Sequence, residues 1–417
     1  MTAPLNMDSG TTSSELNDVL ETLLWLGTSM MRAGSTAFET REWMEAMAAK
    51  MGLDAISVGF TLDSITASVR LGDERATMVR EIGLPGVNAW RIRELEQLVK
   101  TIEPGRTPRT IRAKLAEIEA APPFYSPIQI AAAVGLASGS FAFLNGCPAL
   151  EMVAAGIGGG IGQGSRSWLS RCRLNQYGVA AICAVIASGA YILVAALASH
   201  AGFGFANHPA GFISSVLFLV PGFPLVAALL DLLQHQTAAA VTRMAYGVML
   251  FLAATFGLSI VVGIVKVDLS PQPALELAYL SKLLLRAAAS FVGGFGFAML
   301  FNNSAATAFA VGIFALIANE LRLGLFDAGM MLAPASFFGA LAVGLLAPLA
   351  DRRLEVPRIA LTVPAIIIMV PGVYAFEMIV FFNRGQMLEA LQATALCGFA
   401  TGALAMGLAA ARFIARK

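Results

Sequence analysis

Glu377 is the residue best placed to do chemistry in apolar surroundings. It lies between Phe376 and the run Met378-Ile-Val-Phe-Phe382, with Tyr374 one helical turn before it. An ionisable group inside an apolar segment is costly and by default marks function. The chemistry that fits is uptake and release of a proton; the plainer alternative is an interfacial acid neutralised by Asn383-Arg384 just beyond. Asp231 closes a similar run, Phe218-Leu-Val-Pro-Gly-Phe-Pro-Leu-Val-Ala-Ala-Leu-Leu-Asp231, and Arg243 follows beyond a short loop. It reads as a second ion-coupling acid, or as a gate or structural ion pair with Arg243. Asn302 and Asn303, followed by Ser304 and Thr307, could line a site for a zwitterionic solute or simply build a turn. Glu151 and Glu320 read as interface markers.

The elements that must position these groups are unusual. Pro221, Gly222 and Pro224 interrupt the first run, and Pro371-Gly372 interrupts the second, 150 residues later in the same Val-Pro-Gly setting. Proline removes a backbone donor and clashes with the preceding turn. In hydrocarbon such a break survives only where protein or a wet cavity satisfies the freed backbone. Pro221, Gly222, Pro371 and Gly372, with Tyr374, Asn302 and Asn303, are therefore the candidate substrate-binding residues, and Glu377 and Asp231 the candidate coupling acids.

The 417 residues are 57% hydrophobic and 13% charged, with mean hydropathy +0.72, about half the charged share of an ordinary soluble domain. Residues 1–124 hold 17 of the 27 acids and 13 of the 28 bases. The expected organisation is a soluble α+β domain over 1–124, a first membrane repeat over 125–265, an extracytoplasmic linker over 266–282 and a second repeat over 283–417. In the soluble part, Leu16, Leu20, Leu23 and Leu24 predict an amphipathic helix, and Thr36-Ala-Phe-Glu39 predicts a capping box opening a second. Ile56, Val58, Phe60 and Ile65, Ala67, Val69 alternate as strands do, with a third strand over 75–82. Asn88 and Thr107-Pro108 open two more helices. The hydroxyl-rich Thr61–Thr66 segment has no histidine or cysteine in this domain to activate it, so turn chemistry is the simpler reading.

Ten apolar spans follow, approximately 127–144, 149–164, 177–198, 211–233, 244–265, 283–301, 305–318, 328–349, 359–382 and 388–411. The second and seventh are short for a crossing of about 20 residues. They hold the same place in each group of five, as do the two Val-Pro-Gly breaks. Five spans is an odd number, so a repeat must be inverted, and such matched irregular segments point to a transporter's binding site. Phe141-Ala-Phe-Leu144 is echoed at Phe297-Ala-Met-Leu300. With the N-terminal domain in the cytoplasm, Arg166, Arg171, Arg173, Arg243, Arg352, Arg353, Arg358, Arg412, Arg416 and Lys417 lie inside. Only Lys266, Lys282, Arg322 and Arg384 lie outside, with Arg286 at the outer mouth, as the positive-inside rule requires.

Several chemistries are set aside. Gly156-Ile-Gly-Gly-Gly-Ile-Gly-Gln-Gly164 lacks the GK[ST] ending of a phosphate loop and reads as close-packing or re-entrant. Cys147, Cys172, Cys183 and Cys397 show no metal spacing. His200, His208 and His235 read as isolated loop residues. No cleavable signal peptide, cofactor or nucleic-acid footprint is expected.

The run Leu23-Leu-Trp-Leu-Gly-Thr-Ser-Met-Met-Arg-Ala-Gly-Ser-Thr-Ala-Phe-Glu-Thr-Arg41, with Leu219–Asp231 and Thr242-Arg243, resembles the threonine/serine exporter family over about 20–265, and 283–411 resembles its second module more loosely. The turn Gln234-His-Gln-Thr237 departs from that pattern. The resemblance implies an all-α, ten-helix membrane domain in a 5+5 inverted repeat behind a small α+β domain. It would export threonine, serine or similar solutes across a bacterial inner membrane against protons, as a monomer or homo-oligomer and without cofactor. The alternatives are a dicarboxylate exporter, with Arg243 and Arg286 meeting the second carboxylate, and a membrane-anchored sensor or hydrolase.

Overall fold

The computed structural model describes residues 12–61, 63–83, 85–172, 174–204, 209–265 and 278–415. Arg173, His208, Lys266, Arg416, Lys417 and most of the expected linker lie outside the described residues. The chain forms two compact units that do not follow chain order: residues 227–244 belong with 1–123, and the rest forms the second unit.

In the first unit, α1 (Thr12–Arg32) and α2 (Ala37–Lys50) precede three antiparallel strands, β1 (Ala55–Phe60), β2 (Ser64–Leu71) and β3 (Glu74–Glu81), in the order β1-β2-β3. Ala67 pairs with Val58 on one side and Met78 on the other. The alternation of β2 buries Ile65, Ala67 and Val69 against Leu20, Leu23 and Met44. Gly27 permits the approach of α2, since a Cβ there would meet Met44 Sδ at 2.5 Å. Helices α3 (Ala89–Thr101) and α4 (Pro108–Ala120) complete the core with Leu95, Ile111 and Leu115. Asn88 caps α3 by accepting from Arg91 N–H at 3.0 Å, and Pro108 takes the first position of α4, where its missing donor costs nothing.

The expected capping box at α2 does not form. The Thr36 hydroxyl donates to Glu39 Oε2 at 3.0 Å instead of accepting from the backbone. The hydroxyl-rich segment leads into β2 through side-chain hydrogen bonds: Thr61 Oγ1 donates to Asp63 Oδ1 at 2.6 Å and accepts from Ser64 N–H at 3.0 Å. That donated bond holds the Asp63 carboxyl below its ordinary range.

The remaining helices are α5 (Pro127–Leu144), α6 (Ala149–Leu169), α7 (Gln176–His200), α8 (Pro209–Ser214), α9 (Gly222–Leu233), α10 (Thr237–Val265), α11 (Tyr279–Leu300), α12 (Ala305–Asp327), α13 (Leu332–Leu354), α14 (Arg358–Ile367), α15 (Gly372–Asn383) and α16 (Met387–Ala415). Among the described residues, seven helices are long and apolar enough to cross a membrane, and eight if α14 and α15, bent by 54°, count as one broken span. The stretch Leu217–Leu233 is shorter, and α6 carries Glu151, Arg166 and a run of glycines that reduce its apolarity.

The lengths of two helices need correcting. The second and seventh apolar segments are not short: their helices run 21 and 23 residues, through Arg166 in one and Glu320 and Arg322 in the other. Charges read as span ends in the sequence, whereas the backbone stays helical past them. Of the two readings of the glycine run, close packing fits: the run lies within the continuous helix α6, on a face that other helices approach. A Cβ at Gly135 would sit 2.7 Å from Gly156 O, and one at Gly158 would sit 2.6 Å from Ala187 O. His200 ends α7 rather than lying in a loop, and His235 sits in the α9–α10 turn with φ 60°.

Local backbone patterns recur along this part of the chain. At the α5–α6 turn, Cys147 N–H donates to Ala142 O at 3.1 Å; at the α11–α12 turn, Asn303 N–H donates to Ala298 O at 3.0 Å. Gly146 and Asn302 take the left-handed position in each, with φ 86° and 57°. Helices α10 and α16 each have 29 residues. Each follows a turn whose left-handed residue is His235 or Gly385 and whose next N–H bonds back at 2.9 Å, Gln236 to Asp231 O and Gln386 to Phe381 O.

Candidate functional site

The two Pro-Gly breaks have the same backbone chemistry. Before the first, Val220 N–H donates to Leu217 O at 3.0 Å; before the second, Val370 N–H donates to Ile367 O at 3.0 Å. Gly222 N–H then donates to Val220 O, and Gly372 N–H to Val370 O, both at 2.8 Å. The helix resumes with Leu225 N–H on Pro221 O and Ala375 N–H on Pro371 O, both at 3.1 Å. Each proline lacks the donor that would carry the helical ladder through, so each run is cut and restarts. A restarting helix leaves N–H groups without intrahelical partners and a partial positive charge at that end.

The breaks also face each other. A Cβ on Gly222 would lie 3.5 Å from Ile367 and 3.7 Å from Val370; one on Gly372 would lie 3.4 Å from Leu217 and 3.8 Å from Val220. Positions 150 apart thus exchange roles across the contact. Aromatic edges close the surroundings, with Phe223 against Phe301 at 5.2 Å and Phe212 against Phe376 at 6.5 Å.

Glu377 is half-buried on α15. It has no ion pair among the described residues, and Arg384 does not neutralise it. Tyr374 lies one turn earlier on the same helix and is half-buried as well. Asn302 and Asn303 are engaged in the α11–α12 turn: Asn302 Oδ1 accepts from Phe124 N–H at 2.9 Å, and Asn303 Nδ2 donates to Ala298 O at 3.2 Å.

Sequence reasoning missed Arg322 by ending its helix at 318. The guanidinium sits within α12, and Nη1 donates to Met369 O at 3.0 Å, immediately before the second break. The signal was present: Leu321, Leu323, Leu325 and Phe326 continue the apolar pattern past the charge.

Asp231 and Arg243 belong to the first unit, and both are buried. Asp231 Oδ1 accepts from Ala37 N–H at 2.7 Å and from Phe38 N–H at 3.4 Å, so it supplies the cap that Thr36 does not give to α2. Arg243 Nη2 donates to Ser35 O at 2.9 Å and lies 3.7 Å from Asp231 Oδ2. Arg41 Nη2 adds a bond to Gln236 Oε1 at 3.0 Å in the α9–α10 turn. Arg286, the other arginine considered for a second carboxylate, holds Asp327 at 2.6 Å, with Lys282 on the same carboxylate at 3.4 Å.

A multi-pass helical membrane protein with a small α+β unit and two mutually packed broken helices has the build of a small-molecule transporter. Residues 21–265 match the family model described as a threonine/serine exporter, and residues 286–414 match a second model, described as "Threonine/Serine exporter, ThrE". The chain belongs to the threonine/serine exporter family. It is 25% identical, over 435 aligned residues covering all of this chain and 85% of the relative, to a protein of Corynebacterium glutamicum named "Threonine/serine exporter". No solved structure matches it.

Proposed function

We propose that this protein is a secondary active transporter that exports threonine, serine or closely similar solutes by exchange with protons. Its membrane part would be ten segments in two inverted sets of five, α5–α10 and α11–α16, with α8–α9 and α14–α15 as the broken fourth and ninth. The observation that carries this reading is the reciprocal packing of the Gly222 and Gly372 breaks, where equivalent positions trade places. An inverted repeat predicts that relation at the centre of the molecule. Glu377 is the proton-carrying acid, the half-helix starts at Gly222 and Gly372 supply N–H groups to the solute, and Tyr374 lines the same place. Asp231 and Arg243 serve as an ion pair fixing the α+β unit rather than as carriers. The N-terminal unit and the C-terminus face the cytoplasm of a bacterial cell, with the protein in its inner membrane.

The dicarboxylate alternative loses its two named arginines, since Arg243 and Arg286 each already face an aspartate. The hydrolytic alternative finds Thr61 and Ser64 already hydrogen-bonded to each other and to Asp63. Counterflow in proteoliposomes tests the substrate: radiolabelled threonine accumulates when the lumen is loaded with threonine or serine but not with succinate. Accumulation only with luminal succinate would overturn the reading.

A further inference from the structure

Arg322 is a charge set inside the apolar helix α12. An arginine within an apolar helix is costly unless its donors are met by charge or by several acceptors. Here one hydrogen bond is made, from Nη1 to the neutral Met369 O at 3.0 Å, and Nε is buried with no partner. Among the described residues no carboxylate lies within ion-pair distance of the group. The nearby Arg286 and Lys282, by contrast, share Asp327.

Its position supplies what the missing counter-ion would need. Met369 is the last residue before Val370-Pro371-Gly372, so the guanidinium reaches the junction where α14 stops and α15 begins. The first turn of α15 presents its N-terminal N–H groups at that junction. An anion there would be met by a guanidinium fork and by a helix start, a pairing suited to a carboxylate. Glu377 lies on the same short helix α15, five residues after its first residue, so an acid stands within two turns of the junction that the guanidinium reaches.

We propose that Arg322 binds the carboxylate of the transported solute at the α14–α15 break. The assignment rests on the transporter reading above, but not on which carboxylate is carried.

The test is calorimetric titration of the full-length protein in detergent with threonine, serine and succinate, each beside its amide: threoninamide, serinamide and succinamide. Wild type is expected to bind at least one acid about tenfold or more tightly than its amide. Arg322→Met should weaken that acid by roughly 10- to 100-fold, the scale of a hydrogen bond to a charged group, and remove the preference over the amide. Arg322→Lys should fall between, and Arg384→Met, at an exposed position beyond α15, should match wild type. Retention by Arg322→Met of affinity within about threefold overturns the proposal, as does a wild type that binds acid and amide alike or binds none of the three acids. If Arg322→Met does not fold, the acid–amide comparison on wild type decides. Arg322-dependent binding of succinate without threonine sinks the hydroxy-amino-acid reading and keeps Arg322; threonine binding independent of Arg322 does the reverse.

Discussion

Asp231 caps helix α2 through Ala37 N–H at 2.7 Å, although 194 residues separate the two in the chain. The carboxylate stands at the positive end of that helix, and its other oxygen faces Arg243 at 3.7 Å. Arg243 in turn holds Ser35 O, the carbonyl just before the cap position. An acid that closes an apolar run in the sequence is thus spent on holding an α+β unit together.

Removing half of this arrangement should be costly. Asp231→Ala leaves Arg243 buried without its counter-charge, so a loss of about 3–5 kcal/mol is expected. Replacing both, Asp231→Ala with Arg243→Met, should recover part of it, because the uncompensated charge goes too. Thermal unfolding of the detergent-solubilised protein, with both single variants and the double, measures this. Equal losses in Asp231→Ala and the double variant would show that the cap to α2, not the charge pair, carries the stability.

Glycine substitutions should separate packing from the breaks. Gly135→Ala places a Cβ 2.7 Å from Gly156 O. Backbone cannot yield as a side chain can, so α5 and α6 must part, and overpacking of this kind costs about 1–3 kcal/mol. Gly222→Ala and Gly372→Ala meet only ordinary contacts at 3.4–3.9 Å and should unfold at nearly the wild-type temperature. A midpoint for Gly135→Ala within about a degree of wild type would refute the close α5–α6 approach.

Larger side chains at the breaks should tell the opposite story. Gly222→Leu and Gly372→Leu must displace Ile367 and Val370, or Leu217 and Val220, so each should abolish exchange, and to a similar extent. Counterflow rates normalised to reconstituted protein report this. Full activity in one variant and none in the other would argue against equivalent breaks.

Much of the fold could be read from residue patterns. The period-2 alternation of Ile65, Ala67 and Val69, the Asn88 and Pro108 helix starts and the two Pro-Gly interruptions are local signals, and the structure places elements where they say. What the sequence could not show was non-local. Thr36 and Glu39 have the spacing of a capping box, yet a distant aspartate does the capping, and no local pattern announces it. Arg322 is hidden because a charge in an apolar run reads as its end, and its Met369 partner is 47 residues away in sequence. Asn302 and Asn303 have the polarity of a binding surface, but a left-handed turn residue and a carbonyl cap use that polarity internally.

The central claim is that transport is driven by protons through Glu377. The direct measurement is threonine flux in proteoliposomes under an imposed pH gradient, with wild type and Glu377→Gln side by side. With proton coupling through Glu377, the gradient accelerates wild-type flux and drives threonine against its concentration, while Glu377→Gln still exchanges threonine for threonine and ignores the gradient. Uphill, gradient-driven movement by Glu377→Gln would contradict it.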